Sequence, residues 1–285
     1  GMSLDINGPA CTISGNGSIQ LSRLRKDSDT GGAATTNLTI ATDVTLTWSS
    51  TAALYNIGTP SQSTPTFFNV TIGPGTTVTL TGGDVSMDGL DGSNNTANAG
   101  TLTINGELIL QSGDLYVTTD NNSAGVTYNV NGKLTVGGQV IGNANNGSNP
   151  SVASLNVAGE LELTGPGNVF AGIDGTRDAF NFLAGSLTTY SGPGGQVVES
   201  AFDYASLTIA GSGDKELNGG TTLSEVLTFS NARIDAQNFV LHVDNDDANA
   251  VAGGNTNGYL YGGVLRRNVI DQESYPFPVG SSLPQ

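Results

Sequence analysis

Basic residues are scarce in this chain. Of 285 residues only nine are Lys or Arg, against 25 Asp or Glu, and none lies between Lys26 and Lys133, so the formal net charge is −16. Nucleic-acid binding needs a basic footprint that displaces counterions from phosphates, and that class is excluded. An anionic membrane surface is repelled for the same reason, and so is an acidic polysaccharide such as pectate. The single cysteine, Cys11, allows no intramolecular disulfide. It reads as a half-buried small residue and leaves the redox compartment open. The single histidine, His242, excludes multi-histidine zinc sites, and any Ser-His-Asp or Cys-His device has to use it. No apolar run approaches the roughly 20 residues of a membrane span, so no membrane insertion is expected. No signal peptide is visible, and Gly1-Met2 reads as an expression remnant that replaced a native leader.

Glycine, threonine, serine and asparagine are plentiful instead. There are 41 glycines, while charged residues make up 12%. The glycine share is about twice the average and calls for many turns. From Thr101 to Phe170 one short unit is written three times, as Thr-Leu-Thr-Ile-Asn-Gly-Glu-Leu from Thr101, Thr-Tyr-Asn-Val-Asn-Gly-Lys-Leu from Thr127 and Ser-Leu-Asn-Val-Ala-Gly-Glu-Leu from Ser154. Apolar residues alternate on both sides of Gly106, Gly132 and Gly159, the mark of strands with one buried face. A corner follows in each unit, Gly113-Asp114, Gly138-Gln139 and Gly167-Asn168, with an earlier copy at Gly83-Asp84. Glycine there is expected to supply a positive φ, and Asp or Asn to bond its own backbone. Polar loops, Asp91 to Gly100, Thr119 to Gly125, Asn143 to Ser151 and Gly172 to Asp178, close the units.

A unit of this kind cannot bury its apolar side alone, but stacked on neighbours it lays strand over strand around a continuous core. The expected fold is therefore all-β, a right-handed parallel β-helix (solenoid) with rungs of roughly 20–30 residues. A β-sandwich or β-propeller needs hairpin signals at short regular spacing, and the longer period is clearer than any hairpin. Expected boundaries are 1–35 for N-terminal strands or a cap, 36–262 for the repeats, and 263–285 for a linker or the start of a truncated following domain. Arg23, Arg25 and Lys26 read as a docking patch or as a solvated cluster protecting a sheet edge. Trp48 reads as a core or cap residue, with sugar stacking as the alternative. One extra residue before Gly185 suggests a bulge. The strands around Leu223, Leu227, Ile234 and Phe239-Val243 are expected to be the last full rungs, and no stretch has helical periodicity.

Candidate chemistry is sparse. Phe239, Leu241 and Val243 are expected on one face, with His242 on the other beside Val240. Asp244-Asn245-Asp246-Asp247 and Asp88-Gly89-Leu90-Asp91 are candidate calcium loops, and whether either binds calcium stays open. The first could also supply paired hydrolytic carboxylates, but no matching set of subsites accompanies it. Glu107, Lys133 and Glu160 hold equivalent positions and form an alternating charge column if the rungs stack in register. No catalytic, cofactor-binding or metal-binding residue is assigned, and no enzyme activity is expected.

At the end of the chain, Val264-Leu265-Arg266-Arg267 precedes Tyr275-Pro276-Phe277-Pro278-Val279-Gly280. This arginine-containing strand followed by Phe-Pro-Val-Gly resembles a junction in large secreted, adhesin-like surface proteins of bacteria, where β-repeats give way to a further β domain and a sorting module. The resemblance rests on about twenty residues. It implies a fragment of a larger exported protein, extracellular or at the cell surface, that serves as a structural or adhesion stalk. Cell-surface glycans or other surface proteins are the partners it implies. The alternative is a carbohydrate-binding or polysaccharide-degrading module on the same fold. Converging carboxylates or a row of exposed Tyr and Trp favour that alternative; a flat Thr/Asn-rich surface favours the scaffold.

Overall fold

The computed structural model describes residues 2–6, 8–27, 35–49, 52–57, 66–87, 98–117, 125–142, 153–172, 178–270 and 273–281. The polar loops that close the early units, and the Asp88–Asp91 candidate, lie almost wholly outside these residues. The fold is a parallel β-helix. Among the described residues the one helical element is a 3₁₀ turn, Ala248–Ala250. The chain divides into two compact units, one of residues 1–156 and 170–180, the other of 157–169 and 181–285.

In the first unit each rung contributes three strands, as the sequence unit implies, and each strand joins a stack of its own. Stack A holds Ser3–Asp5, Arg23–Asp27, Ala52–Ile57, Asp84–Ser86, Leu115–Tyr116, Val140–Ile141 and Phe170–Ala171. Stack B holds Ala10–Ile13, Thr35–Ile40, Thr66–Ile72, Asn98–Ile104, Val126–Val130, Ala153–Val157 and Asp178–Phe182. Stack C begins with Ile19–Leu21, Val44–Leu46, Thr77–Leu80, Glu107–Leu110 and Lys133–Val136. The pairings within these stacks are parallel. Register keeps like residues together: Ile13, Ile40, Ile72, Ile104 and Val130 form one interior column. Leu21, Leu46, Leu80, Leu110 and Val136 form another. Leu24, Leu54, Val85, Leu115, Val140 and Phe170 form the third. A one-residue slip in any strand would turn its apolar set outward, so each column fixes its register. Each fully buried Leu or Ile contributes about 1.5–3 kcal/mol. Tyr128 enters the core as well, its hydroxyl donating to Tyr116 O at 2.6 Å and accepting from Met87 N.

Pairing starts with the first strands, since Ser3–Asp5 pairs with Arg23–Asp27 and Ala10–Ile13 with Thr35–Ile40. Rungs in stack B repeat after 32 residues from Ile40 to Ile72 and from Ile72 to Ile104, and after 26 from Ile104 to Val130.

The second unit has shorter rungs. Its strands Glu160–Leu163, Leu187–Tyr190, Ser206–Ile209, Leu227–Phe229 and Val251–Ala252 form stack D. Stack E is Gln196–Val198, Lys215–Leu217, Ile234–Asp235 and Leu260–Tyr261; stack F is Asp203–Tyr204, Thr221–Leu223, Val240–Val243 and Val264–Arg267. Gln196 and Lys215, 19 residues apart, are register partners. One rung more than expected is present, because Val251–Ala252, Leu260–Tyr261 and Val264–Arg267 continue the three stacks. Its buried apolar residues, Ala250, Val251, Leu260 and Leu265, are separated by polar and glycine-rich stretches, so no long alternation announces it.

The repeat glycines serve a purpose other than a positive φ. A Cβ on Gly106 would lie 2.2 Å from Thr76 O, one on Gly132 2.0 Å from Gly106 O, and one on Gly113 2.0 Å from Gly83 O. Successive turns pack main chain on main chain there, and only glycine fits. Of the expected corners, Gly167 alone takes a positive φ, 67°. The extra residue before Gly185 lies beside a turn in which Ser186 N donates to Leu183 O and Gly185 has φ 82°.

Candidate binding surfaces

Two surfaces stand out, one in each unit. In the first, the outward side of stack B carries the column Thr12, Thr39, Thr71, Thr103, Asn129, and beside it Asn37, Asn69, Thr101, Thr127. No Asp, Glu, Lys or Arg occurs in the first six strands of this stack. Stacks A and C, by contrast, place Asp5, Arg25, Asp84, Glu107 and Lys133 outward. The amides are tied rung to rung. Asn69 Nδ2 donates to Asn37 Oδ1 at 3.0 Å, Thr101 N to Asn69 Oδ1 at 3.2 Å, and Asn156 Nδ2 to Asn129 Oδ1 at 3.0 Å. Glu107 faces Lys133 in register, as the charge column requires.

The second surface is built around the end of stack F. Leu223, Val243 and Arg267 are register partners, so an arginine occupies the third place of an otherwise apolar column. Its side chain is 7% exposed. The guanidinium donates to Asp247 O at 2.6 Å and Pro276 O at 3.2 Å and lies 4.6 Å from the Tyr275 ring centroid and 5.8 Å from that of Phe277. Residues 275–281 thereby fold back as a strap. Val279 bridges Leu260 in parallel, Gly280 N donates to Leu260 O, and Tyr259 donates its hydroxyl proton to Ser281 O.

Beside the strap, Asp214, Arg233 and Tyr259 lie close together. Arg233 forms a two-point ion pair with Asp214 at 2.7 and 2.8 Å and stands over both Tyr259 and Tyr261, while Tyr261 donates to Asp214. The hydrogen bonds of Tyr259 and Asp214 to the Arg233 guanidinium raise its pKa, so it stays charged. Two grooves open here. One of about 550 Å³ is lined by Val251, Gly254, Asn255, Tyr259, Phe277 and Val279; the other, about 560 Å³, by Asp214, Asn231, Arg233, Asn257 and Tyr259. Both touch Thr256.

The residues singled out in the sequence fall as follows. Arg25 ion-pairs with Asp5, Arg23 stands 4.8 Å over half-buried Trp48, and Lys26 is fully buried, donating to Phe67 O at 3.2 Å. Lys26 is therefore neither a docking group nor a solvated cap: burial lowers its pKa, and the core takes its stem while carbonyl oxygen takes its ammonium. Cys11 is half-buried and free. Leu241 and Val243 point inward, but Phe239 is 38% exposed, because the left-handed residues Gln237 and Asn238 turn the chain just before it. His242 stands between Thr222 and Arg266 on the outward side. The Asp244–Asp247 run bonds to its own surroundings: Asp244 accepts from Asn268 Nδ2, and Asp247 caps the 3₁₀ turn by accepting from Asn249 N. Among the described residues no three Asp, Glu, His or Cys side chains converge as a metal site.

Buried polar groups went unseen in the sequence. Gln196 donates to Leu163 O and Gly165 O and accepts from Gly192 N. Lys215 beside it donates to Gly192 O at 2.6 Å, and burial lowers its pKa to about 8. Tyr190 and Tyr204 share a hydrogen bond at 2.8 Å, and burial raises both phenols. No protein family matches the chain, and no curated protein or solved structure shows significant similarity to it.

Proposed function

We propose that the chain is a non-catalytic structural or adhesion stalk, part of a larger bacterial surface protein exposed outside the cell. The observation that carries this reading is the outward side of stack B: an array rich in Thr and Asn, uncharged through six strands and tied along the stack by side-chain bonds. Such an array adds cross-rung bonds outside to apolar columns inside, and each rung supports its neighbours. That is the chemistry of a rigid spacer. The arginine strand and strap of the second unit support the resemblance to surface-protein junctions, since Arg267 gives both motifs a common role in closing a column.

The test is incubation of the purified chain with a panel of neutral and acidic polysaccharides, followed by assay for new reducing or unsaturated ends. The stalk reading expects none above the buffer control. Reproducible turnover that is lost when Asp244, Asp246 and Asp247 are changed to Asn would overturn it.

A further inference from the structure

The two grooves flanking Tyr259 combine apolar walls with Asn and Thr hydrogen-bonding groups. We propose that together they form a binding site for a short neutral oligosaccharide.

The apolar part comes from the strap. Phe277 is 48% exposed and Val279 56%, and both line the first groove. Exposed apolar side chains grouped beside a concave surface mark a contact site. Phe277 is held in place from behind, because the Arg267 guanidinium lies 5.8 Å from its ring centroid and donates to the adjoining Pro276 O. A ring fixed in this way offers an apolar platform of the kind on which the C–H face of a pyranose packs.

The polar part comes from the turn 253–258. Asn255 locks that turn, accepting from Asn257 N at 2.7 Å and donating to Gly253 O and to Asn231 Oδ1. The exposed side chains of Thr256 and Asn257 project from it into the grooves. A hydroxyl and an amide on a locked turn suit the paired donor and acceptor character of sugar hydroxyls.

Charge decides between ligand classes. Among the described residues the only cation lining either groove is Arg233, and both of its carboxylate-binding nitrogens are engaged by Asp214 while its face covers Tyr259 and Tyr261. No free cation remains for a phosphate or uronate, and the net charge of −16 repels both. A neutral polyol with one apolar face satisfies what remains. Each groove, about 550 and 560 Å³, lies in the range of small-ligand sites.

The experiment is a titration of the whole chain with short linear β-glucans, chitooligosaccharides, mannooligosaccharides and xylooligosaccharides, with oligogalacturonate as the acidic control. At least one neutral series should bind. Phe277→Ala and Asn257→Ala should each weaken it by about tenfold with an unchanged melting temperature, while Thr71→Tyr on stack B should leave it unaltered. Should Phe277→Ala loosen the strap, Asn257→Ala still reads the site, because Asn257 lies in the turn 253–258 and outside the strap. Binding of no neutral sugar, binding of oligogalacturonate alone, or affinity that survives both substitutions would each overturn the proposal. Sugar binding without turnover leaves the stalk reading standing, so the two fail separately.

Discussion

The carboxylate of Asp84 accepts the main-chain N–H of Asp114, one rung on, at 2.8 Å, and Asp114 repeats the contact onto the N–H of Gln139 at 2.7 Å. The sequence pattern Gly-Asp at a corner suggests an Asp bonded to its own turn. The bond instead runs along the stack, so each corner is fastened to the next. Burial pushes the Asp84 carboxyl above its ordinary value; the bond from Asp114 N opposes this and the Asp114 charge adds to it. A carboxyl raised in the folded state binds more protons there than in the unfolded chain, so its contribution is present at low pH and is lost as pH rises through the raised value. Asp84→Asn keeps an acceptor and removes the charge. It should be neutral or stabilising at pH 7 by urea denaturation, whereas Asp84→Ala should cost about 1–3 kcal/mol.

The glycines divide into two kinds with different costs. At Gly132 a Cβ meets main chain at 2.0 Å, while at Gly75, φ 70°, nothing lies within 4 Å. Gly132→Ala should lower stability by about 1–3 kcal/mol or more through forced displacement of the neighbouring turn. Gly75→Asn should cost under about 1 kcal/mol, since Asn tolerates the left-handed region. Thermal denaturation of the two variants separates the mechanisms.

Thr188 stands in an interior column between Leu161 and Leu207, is 1% exposed, and its hydroxyl has no partner. Thr188→Val keeps the shape and removes an unsatisfied group. It should stabilise the protein by about 1 kcal/mol, read as a higher urea midpoint at unchanged slope. A lower midpoint would mean that the hydroxyl is satisfied.

Lys215 gives a pH signature. Its folded pKa of about 8 lies below the ordinary 10.5, so between those values the unfolded chain binds more protons and stability rises with pH. The full rise is on the order of 3 kcal/mol. Above pH 10 the buried Tyr190 and Tyr204, raised in the folded state, act in the opposite sense. Stability should therefore climb from pH 8 to pH 10 in the native sequence, and the climb should be clearly smaller in Lys215→Met, which leaves only the share of Lys26, whose pKa burial also lowers.

Arg267 should hold the strap. Arg267→Ala removes its bonds to Pro276 O and Asp247 O and its stacking on Tyr275 and Phe277. Hydrogen exchange of Val279 and Gly280 should accelerate at least tenfold (about 1.4 kcal/mol), with the N-terminal stacks unaffected.

Much of the fold was legible because the period-two alternation around Gly106, Gly132 and Gly159 states which residues face inward, and register then follows. The buried polar residues were not legible. Lys26, Gln196, Lys215 and Arg267 go inside because carbonyl oxygens from chain segments up to 41 residues away meet them, and no local pattern announces a partner that distant. The grooves were hidden for a related reason. The Phe-Pro-Val-Gly motif read as a junction, while its packing against Tyr259 and Arg267 brings together residues from three strands and a turn.

The most direct test of in-register stacking is a spin-label distance between Thr12 and Asn129, both changed to Cys in a Cys11→Ser background. They lie in one outward column four strand spacings apart. The account predicts one narrow distribution near 19 Å, from about 4.8 Å per spacing, broadened only by the label arms. A mean at twice that length, or several well-separated distances, would contradict it.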